Sequence, residues 1–258
     1  MTLAVSAMGS GPELVLLHGW GMNSTVWAGF SESLAERYRL WLIDLPGHGD
    51  SPYSGERTLA DWASACLAVA PQRAVWLGWS LGAEVVLQAA LQQPERVSAV
   101  IGLSGTPRFV QGDDWLHAMA PRTLEQFITA SRQDHRRTLE RFLALQVRGS
   151  ETARDNLRLL KQQLRLRPDP RPEALDAGLG LLKTVDLRKQ LAELSCPTGW
   201  LYGERDTLVP VAGSETLGRW LPEARIRVIG GAAHAPFLSH RSETTDAVFT
   251  LLEPFHAL

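Results

Sequence analysis

Short runs of consecutive apolar residues recur along the chain, and stretches with helical spacing of apolar residues separate them. Such runs are typical of strands that are buried on both faces of a parallel sheet. Capping residues precede the helical stretches: Thr58 before residues 59–70, and Asn23 or Ser24 before a helix reaching about Arg37. The alternation predicts an α/β fold with a mostly parallel central sheet and helices on both faces. The predicted strands are residues 14–17, 40–43, 74–78, 97–103, 200–203 and 226–229.

The alternation is interrupted between residues 108 and 185, where helical patterns follow one another without a buried strand. A proline-rich break at residues 168–172 divides these patterns. A helical insertion in such a sheet protein indicates a lid over an active site. We therefore expect a core formed by residues 1–107 and 186–258 and a helical lid formed by residues 108–185.

Residues 78–82 have the sequence Gly-Trp-Ser-Leu-Gly, which matches G-x-S-x-G, and lie between a predicted strand and a predicted helix. Strand, sharp turn and helix are the context of a nucleophile elbow. A side chain at either glycine position would crowd a serine that is held in a strained backbone conformation. The motif alone occurs often by chance, and the alternative is a glycine-rich turn with a bystander serine. The flanking elements favour Ser80 as a nucleophile.

Two further candidates follow later strands of the predicted sheet. Asp206 comes after the strand at residues 200–203, and His234 comes after the strand at residues 226–229. Open α/β sheets bind their ligands at this edge. The chain order Ser80, Asp206, His234 is that of the catalytic triad of α/β-hydrolases. His234 would take the serine proton, and Asp206 would hold the imidazole tautomer.

Other residues compete for these roles less well. Glu204 could replace the aspartate but lies closer to the strand, and His240 is predicted to lie inside the following helix. A glycine-rich turn at residues 18–21 follows the first predicted strand, so the backbone N–H groups of Trp20 and Leu81 are the predicted oxyanion-hole donors. Acyl transfer by this route needs neither a metal nor an organic cofactor.

Composition narrows the class of protein. At 258 residues, one large α/β domain with an insertion is sufficient. A net charge of -2 indicates neither a nucleic acid nor an anionic membrane as partner. Cys66 and Cys196 make no disulfide framework, and the first residues lack the basic segment of a signal peptide. We expect a cytoplasmic monomer.

The predicted lid is more basic than the rest of the chain. Residues 108–167 contain twelve Lys and Arg against seven Asp and Glu, whereas the whole chain has 26 and 28. Two pairs of arginines have helical spacing, and like charges so placed cost a few tenths of a kcal/mol per pair unless an acidic partner offsets them. The pairs are Arg137 with Arg141 and Arg154 with Arg158. The alternative is a solvated surface with local partners, which would be Glu140, Glu151 and Asp155.

A mostly apolar segment follows Arg141 directly and could line a channel beneath the lid. Its residues are Phe142, Leu143, Ala144, Leu145 and Gln146. Helical spacing of this kind also fits ordinary core packing, which is the better interpretation from the pattern alone.

Several stretches together resemble the pimeloyl-[acyl-carrier-protein] methyl ester esterases of biotin synthesis, which are α/β-hydrolases. The stretches are residues 16–21, 44–47, 76–82, 141–146, 182–188 and 233–237. The triad motifs belong to the whole superfamily, whereas Trp-Leu-Gly-Trp-Ser-Leu-Gly at 76–82 and Arg-Phe-Leu-Ala-Leu-Gln at 141–146 are much narrower. Residues 105–107 and the proline-rich stretch near Pro170 depart from the family pattern.

The resemblance implies an enzyme that hydrolyses the methyl ester of pimeloyl-[acyl carrier protein] through an acyl-enzyme on Ser80. The implied substrate contacts are Trp20, Ser80, Leu81, Phe142, Leu143, Ala144, Leu145, Gln146 and His234. The arginines implied to bind the acidic carrier protein are Arg137, Arg141, Arg154 and Arg158. The remaining alternatives are a general short-chain carboxylesterase, a thioesterase or a cofactor-free haloperoxidase with the same triad, and a non-catalytic binding protein.

Overall fold

A seven-stranded sheet forms the centre of the computed structural model, which describes residues 2–253. The strands are β1 (Val5–Met8), β2 (Glu13–Leu17), β3 (Arg39–Ile43), β4 (Ala74–Trp79), β5 (Val97–Leu103), β6 (Thr198–Gly203) and β7 (Arg225–Ile229). Their order across the sheet is β1-β3-β2-β4-β5-β6-β7, and all neighbours run parallel except β1 and β3. All six predicted strands are confirmed, each within two residues of its expected bounds.

Strand β1 was not predicted from the sequence. It lies at the edge of the sheet, and three of its four residues are exposed, so it lacks the continuous apolar run of a central strand. Strand β4 shows the opposite case, because all six of its residues are buried between β2 and β5. The serine of the G-x-S-x-G motif thus follows a central strand of the sheet.

Ten α-helices connect the strands of the described chain, and pairs of them cover the two faces of the sheet, α2 against α3 and α1 against α10. The helices are α1 (Phe30–Ala35), α2 (Leu59–Val69), α3 (Leu81–Gln92), α4 (Pro121–Gln133), α5 (His135–Gln146), α6 (Ala153–Leu164), α7 (Pro172–Thr184), α8 (Gly213–Trp220), α9 (Pro236–Ser239) and α10 (Arg241–Leu252). Thr58 caps α2 as expected, and it forms a capping box with Asp61.

The single helix predicted from residue 23 or 24 to 37 is wrong. Asn23 caps only a short 3-10 helix, Ser24–Trp27, and α1 begins after it. Gly29 separates the two with a φ of 77°, a left-handed conformation that an α-helix does not contain. The prediction for His240 is also wrong, because this residue precedes α10 as its N-cap instead of lying inside it.

Helices α4 to α7 form an insertion between β5 and β6, and the two ends of this insertion are fastened together. Arg108 at its start lies 3.0 Å from Asp186 at its end, and the Leu187 N–H donates to the Pro107 carbonyl at 2.9 Å. Arg188 continues the network, with its Nη2 2.7 Å from Asp186 Oδ2. The boundaries of a lid at residues 108 and 185 stay a prediction, but the chain leaves and re-enters the core at one place.

Arg188 is held from several sides. Its guanidinium forms a second ion pair with Asp114 at 2.8 Å, and it lies over the rings of Trp115 and Trp220 at 5.5 and 5.6 Å from their centres. The side chain is only 7% exposed, so its charge is shielded from water by aromatic and carboxylate groups together. Asp114 and Trp115 belong to the segment before α4, which this network ties to the core.

Glu84 carries a carboxyl group in α3 that is buried without an ion pair or hydrogen bond to residues 2–253. The residue is 1% exposed, and neither of its carboxylate oxygens has a hydrogen-bond partner among the described residues. Removal from water disfavours the charged form, so burial raises the pKa of Glu84 well above its usual value. The folded protein therefore holds this carboxyl in its protonated form at a pH where the unfolded chain releases the proton.

We predict that Glu84→Gln changes how stability depends on pH. Because the folded pKa lies above the unfolded one, the stability that protonated Glu84 contributes is complete below the unfolded pKa and is lost as the pH rises. Above the unfolded pKa the loss is at most about 1.4 kcal/mol per pH unit, and it ends near the folded pKa. In urea unfolding at pH 5, 6, 7 and 8, the free energy of unfolding of the parent protein should fall relative to that of Glu84→Gln at each step.

Glu95→Gln is the matched control, because Glu95 is an exposed glutamate shortly after the same helix. Parallel stability curves for the parent protein and Glu84→Gln over this range would contradict a neutral buried carboxyl.

Candidate active site

Ser80 lies at the junction of β4 and α3 in a strained backbone conformation. Its φ of 56° and ψ of -119° place it in a region that residues other than glycine rarely adopt. Two close approaches of the backbone surround it. A Cβ on Gly78 would lie 2.2 Å from the Gly82 carbonyl oxygen, and one on Gly82 would lie 2.4 Å from the Leu17 carbonyl oxygen. Neither position has room for a side chain, so both residues must be glycine. The elbow predicted from the sequence is present.

Asp206 and His234 meet at the carboxyl end of the sheet, beyond β6 and β7. His234 Nδ1 lies 2.8 Å from Asp206 Oδ2, and both side chains are almost completely buried. The other carboxylate oxygen, Oδ1, accepts the backbone N–H groups of Leu208 at 2.8 Å and Val209 at 3.0 Å. With both oxygens occupied, the aspartate is fixed in one orientation and presents one oxygen to the imidazole.

Backbone contacts orient His234 further. Its N–H donates to the Gln146 carbonyl at 3.1 Å, and its carbonyl accepts the indole N–H of Trp79 at 2.8 Å. The Trp79 ring packs 5.7 Å from the imidazole, which places His234 beside the residue that precedes Ser80. Trp79 was not assigned a role from the sequence, although it occupies the variable position of the G-x-S-x-G motif.

The second ring nitrogen of His234 is the unusual atom of this site. Nε2 is buried and has no hydrogen-bond partner within residues 2–253, the Ser80 hydroxyl included. A buried polar atom left unpaired costs about 1–3 kcal/mol, so such atoms concentrate at functional sites. With Nδ1 facing a carboxylate, Nε2 is the free acceptor of the ring, and catalytic hydrogen bonds are often long in an enzyme without substrate.

The glycine-rich turn after β2 passes directly beside the serine. A Cβ on Gly19 would lie 3.2 Å from Ser80 Cβ. The backbone N–H of Trp20 makes no hydrogen bond to the described residues. Leu81 is the first residue of α3, a position whose N–H has no partner within the helix. The two N–H groups predicted as oxyanion donors thus lie on the two segments that flank Ser80.

Two buried histidines hold this turn in place. His48 Nε2 accepts the backbone N–H of Gly21 at 3.3 Å, and His18 Nε2 accepts the N–H of Leu45 at 3.0 Å. Burial, and next the proximity of His18, lower the pKa of His48 to about 3, and burial also lowers the pKa of His18. Both rings are neutral near pH 7 and can therefore accept these bonds. Both histidines therefore have a structural role, and that of His48 was missed from the sequence.

Asp44 braces the same region. Its Oδ1 accepts the Ser24 N–H at 2.6 Å, and its Oδ2 accepts the Asp50 N–H at 3.0 Å. The loop after β3 and the loop after β2 are therefore joined through one carboxylate. Asp44 takes no place beside His234, which leaves Asp206 as its carboxylate partner.

The insertion packs against the side chain of Trp20, which lies in the turn next to the elbow. Its indole N–H donates to the Leu175 carbonyl at 2.9 Å, and its ring meets Phe142 edge-on at 4.8 Å. A Cβ on Gly178 would lie 2.6 Å from the Trp20 ring and 3.4 Å from the Leu81 side chain. Residues from α5 and α7 thus close over both predicted oxyanion residues.

The five residues predicted as substrate contacts on α5 divide into two groups. Phe142, Leu143 and Gln146 are buried, and Gln146 meets His234 through its carbonyl. Leu145 is half-buried and Ala144 is exposed, on the outer side of the helix. Phe142 and Gln146 therefore reach the site through Trp20 and His234, while a substrate contact by Ala144 stays a prediction.

The four predicted docking arginines lie on the outside of α5 and α6, and all four are exposed. Only Arg158 has an ion pair among the described residues, with Asp155 at 3.2 Å. The other two acids suggested as local partners pair elsewhere, Glu140 with Lys161 and Glu151 with Arg205. The alternative of local neutralisation thus accounts for one arginine of the four, and a surface pair of this kind contributes little.

Within residues 2–253 no group of three or more histidines, cysteines, aspartates and glutamates is arranged to hold a metal ion. No helix in the same range combines the length and apolar character needed to cross a membrane.

Comparison with known proteins gives a consistent result. The model of the alpha/beta hydrolase fold family matches residues 12–241. The pimeloyl-[acyl-carrier protein] methyl ester esterase of Aeromonas hydrophila is 45% identical over 250 residues, which cover 96% of this chain and 98% of the relative. The enzyme of the same name from Xanthomonas oryzae is 44% identical, covering 95% of this chain and 96% of the relative.

A solved structure with a similar fold is an esterase from Exiguobacterium antarcticum. It superposes with a TM-score of 0.87 at 22% identity and covers 97% of this chain and 95% of its own. At that identity the similarity concerns the fold alone, and it confirms the expected arrangement of a mostly parallel sheet with helices.

We predict that Gly82→Ala destabilises the protein by about 3 kcal/mol or more, because the added methyl group would meet the Leu17 backbone and neither strand nor helix can move away. Gly180→Ala is the matched control, since a Cβ at this position in α7 meets nothing within 4 Å. That change should stabilise by about 0.5–1 kcal/mol. Denaturant unfolding of both variants measures the contrast, and equal stability of the two would refute the close packing of the elbow.

Proposed function

The chain belongs to the pimeloyl-[acyl-carrier protein] methyl ester esterase family of α/β-hydrolases, and we propose that it hydrolyses the methyl ester of pimeloyl-[acyl carrier protein]. The products are methanol and a pimeloyl group with a free carboxylate, which serves biotin synthesis. The observation that carries the proposal is the Asp206–His234 contact of 2.8 Å, with Nε2 of that histidine unpaired within residues 2–253 and its ring packed against Trp79, the residue before Ser80.

The first half of the reaction forms an acyl-enzyme. Ser80 Oγ attacks the ester carbonyl carbon while His234 Nε2 takes the hydroxyl proton, since a neutral serine is a weak nucleophile. Asp206 stabilises the imidazolium that results. The oxyanion of the tetrahedral intermediate accepts hydrogen bonds from the N–H groups of Trp20 and Leu81. The intermediate collapses, and His234 returns the proton to the departing methoxide, which leaves as methanol.

The second half regenerates the serine. A water molecule gives one proton to His234 Nε2 and attacks the carbonyl carbon of the acyl-enzyme, through an intermediate that the same two N–H groups stabilise. The bond to Ser80 Oγ breaks and the serine recovers its proton from the imidazolium. Ester and water are converted to methanol and carboxylic acid, which ionises at neutral pH, so no redox step and no further reactant is needed.

The residues above the elbow supply the apolar surface for the acyl chain. Trp20 lies there against Phe142 of α5, and both Trp20 and Leu81 lie against Gly178 of α7. Leu143 and Gln146 are buried on the same helix as Phe142. An apolar setting excludes water and strengthens the hydrogen bonds to the oxyanion. In this proposal His234 and Ser80 contact the ester end, and Ala144 and Leu145 have at most a peripheral part.

The carrier protein would dock on the outer surface of α5 and α6. Three of the docking arginines, Arg137, Arg141 and Arg154, have no ion pair among the described residues, so their charge is available to an acidic partner. Positive charge on this surface also speeds encounter with such a partner. We further propose a cytoplasmic location, which fits the two free cysteines, Cys66 and Cys196.

A general short-chain carboxylesterase or thioesterase is the alternative with the same chemistry. The two proposals differ in the role of the arginines, which a small soluble ester does not need. A non-catalytic binding protein fits less well, because it would have no use for a buried, unpaired imidazole nitrogen or for a strained serine at the same edge of the sheet.

We predict that Ser80→Ala abolishes ester hydrolysis and that Asp206→Asn lowers kcat by about 10⁴-fold, since the amide would favour the wrong imidazole tautomer. Turnover of pimeloyl-[acyl carrier protein] methyl ester is measured by methanol release. The parent gene, but not the Ser80→Ala gene, should restore growth without biotin to a strain that lacks its own esterase.

Circular dichroism and thermal unfolding provide the control for both variants, which should fold like the parent protein. A folded Ser80→Ala protein with undiminished turnover would end the serine-hydrolase proposal. Full activity of the parent on small esters without activity on the carrier-linked ester would favour the general esterase.

We predict a selective effect when Arg137, Arg141, Arg154 and Arg158 are all changed to Ala. The kcat/KM for the carrier-linked ester should fall by about tenfold or more, because charge complementarity governs encounter and docking, while a small soluble ester should be affected by less than about twofold. Raising the salt concentration should reduce the difference between parent and variant.

A control with the same loss of charge replaces Arg73, Arg122, Arg219 and Arg227, which are exposed arginines outside α5 and α6. It should retain most of its activity on both esters. A loss of equal size for the two substrates, or for the two quadruple variants, would count against the docking surface.

A further inference from the structure

A cavity with a volume of about 810 Å³ lies between the insertion and the loop after β3. Its walls come from the loop after β3, from α5 and α6, and from the segment that leads into α7. Ser80, Asp206 and His234 do not line it. Its volume falls within the range of about 300–1,000 Å³ that is typical of small-molecule sites.

The proline-rich stretch that departs from the family pattern forms one wall of this cavity. Pro168, Pro170 and Pro172 all line it, and proline fixes its own φ and restricts the residue before it. The stretch is also fastened to the core, since the Arg171 N–H donates to the Gly47 carbonyl at 2.8 Å. Arg167, shortly before it, forms an ion pair with Asp50. The wall is thus pre-organised, which lowers the entropy lost when a ligand binds.

The cavity combines an apolar floor with a basic rim. The floor is formed by four leucines, which are Leu139, Leu143, Leu164 and Leu175. The charged groups of the rim that have no ion pair within residues 2–253 are Arg136, Arg165, Arg171 and Asp169. Cations therefore outnumber anions by two among these groups. Lys161 and Glu140, which also line the cavity, face each other at 3.8 Å and balance one another.

We propose that this cavity binds an amphipathic anion, with its alkyl chain on the leucine floor and its anionic head group between Arg165 and Arg171. An apolar chain gains from leaving water, at about 0.8 kcal/mol for each buried CH₂ group. Guanidinium groups bind carboxylate and phosphate head groups with geometries that suit their planar donors. The ligand is not turned over, because no triad residue reaches it.

The floor of the cavity touches the turn that carries the predicted oxyanion donor. The Leu139 side chain packs against Gly21, where a Cβ would lie 2.3 Å from Leu139 Cδ1. Leu175 accepts the indole N–H of Trp20 through its carbonyl. A chain lying on Leu139 and Leu175 thus contacts both residues that hold Trp20 and Gly21 from outside.

The test uses the full chain with Ser80 blocked by an alkyl phosphonate, which fills the catalytic pocket and leaves the cavity open. Octanoate and octyl phosphate are titrated calorimetrically, and their relative affinities distinguish a carboxylate from a phosphate head group. Octanol and acetate are the controls that lack the charge and the chain. We expect one equivalent of at least one octyl anion to bind, and more tightly than either control.

Two variants locate the ligand. Arg165→Gln combined with Arg171→Gln should raise the Kd of the bound anion by about five- to tenfold, as expected for the loss of two partly exposed charge contacts. The matched control, Arg73→Gln with Arg219→Gln, should leave the Kd unchanged, and both double variants should hydrolyse a small ester in the absence of the anion.

Failure of both octyl anions to bind the phosphonate-blocked protein would overturn the proposal. The same holds for binding that Arg165→Gln with Arg171→Gln leaves unchanged, or for octanol binding as tightly as the anions. None of these results would affect the esterase proposal, which rests on Ser80, Asp206 and His234.

Discussion

The close approach of three backbone segments around Ser80 is the constraint on which the rest of the structure depends. The end of β2, the turn after β4 and the first turn of α3 come together at distances that only glycine permits at positions 78 and 82. The positive φ of Ser80 stores about 1–3 kcal/mol of strain, and only a surrounding structure that is fixed on all sides can maintain it. Burial of all of β4 between two parallel neighbours provides that support. The position of Ser80 at the edge of the sheet therefore depends on packing along the whole of β4.

The other functional groups are placed by the same sheet edge and then adjusted by hydrogen bonds. Asp206 and His234 arrive on separate loops, and each is fixed by backbone groups before the two side chains meet. Neutral His48 does the equivalent for the turn after β2. Bonds of this kind position a group without neutralising it. Within residues 2–253, both ring nitrogens of His48 have partners, whereas Nε2 of His234 has none. Pre-organisation of this type is what electrostatic stabilisation of a transition state requires.

The sequence alone was sufficient for the buried strands and for the residues at their carboxyl ends, because both leave local patterns: an apolar run followed by glycine, acid or histidine. It was insufficient where the outcome depends on distant partners. Strand β1 depends on β3, which pairs with it at the edge of the sheet. The helix expected near Asn23 is interrupted at Gly29, where the Arg241 side chain occupies the space that a Cβ would need. The part played by His48 could have been suspected from its place in the glycine-rich loop, but its partner lies 27 residues away. The cavity beside the proline-rich stretch joins four segments and leaves no trace in any one of them.

The ion pairs of Arg108 and Arg188 with Asp186, which hold the two ends of the insertion together, affect how this part of the protein can vary. A segment that leaves the core and returns to it at a single point can be exchanged as one unit, or cassette. Natural variation can lengthen, shorten or replace such a cassette without shifting the register of a single strand. The basic surface that we assign to carrier recognition and the cavity beside the proline-rich stretch are both carried mainly by this cassette, so a change in specificity can leave the chemistry beneath it intact.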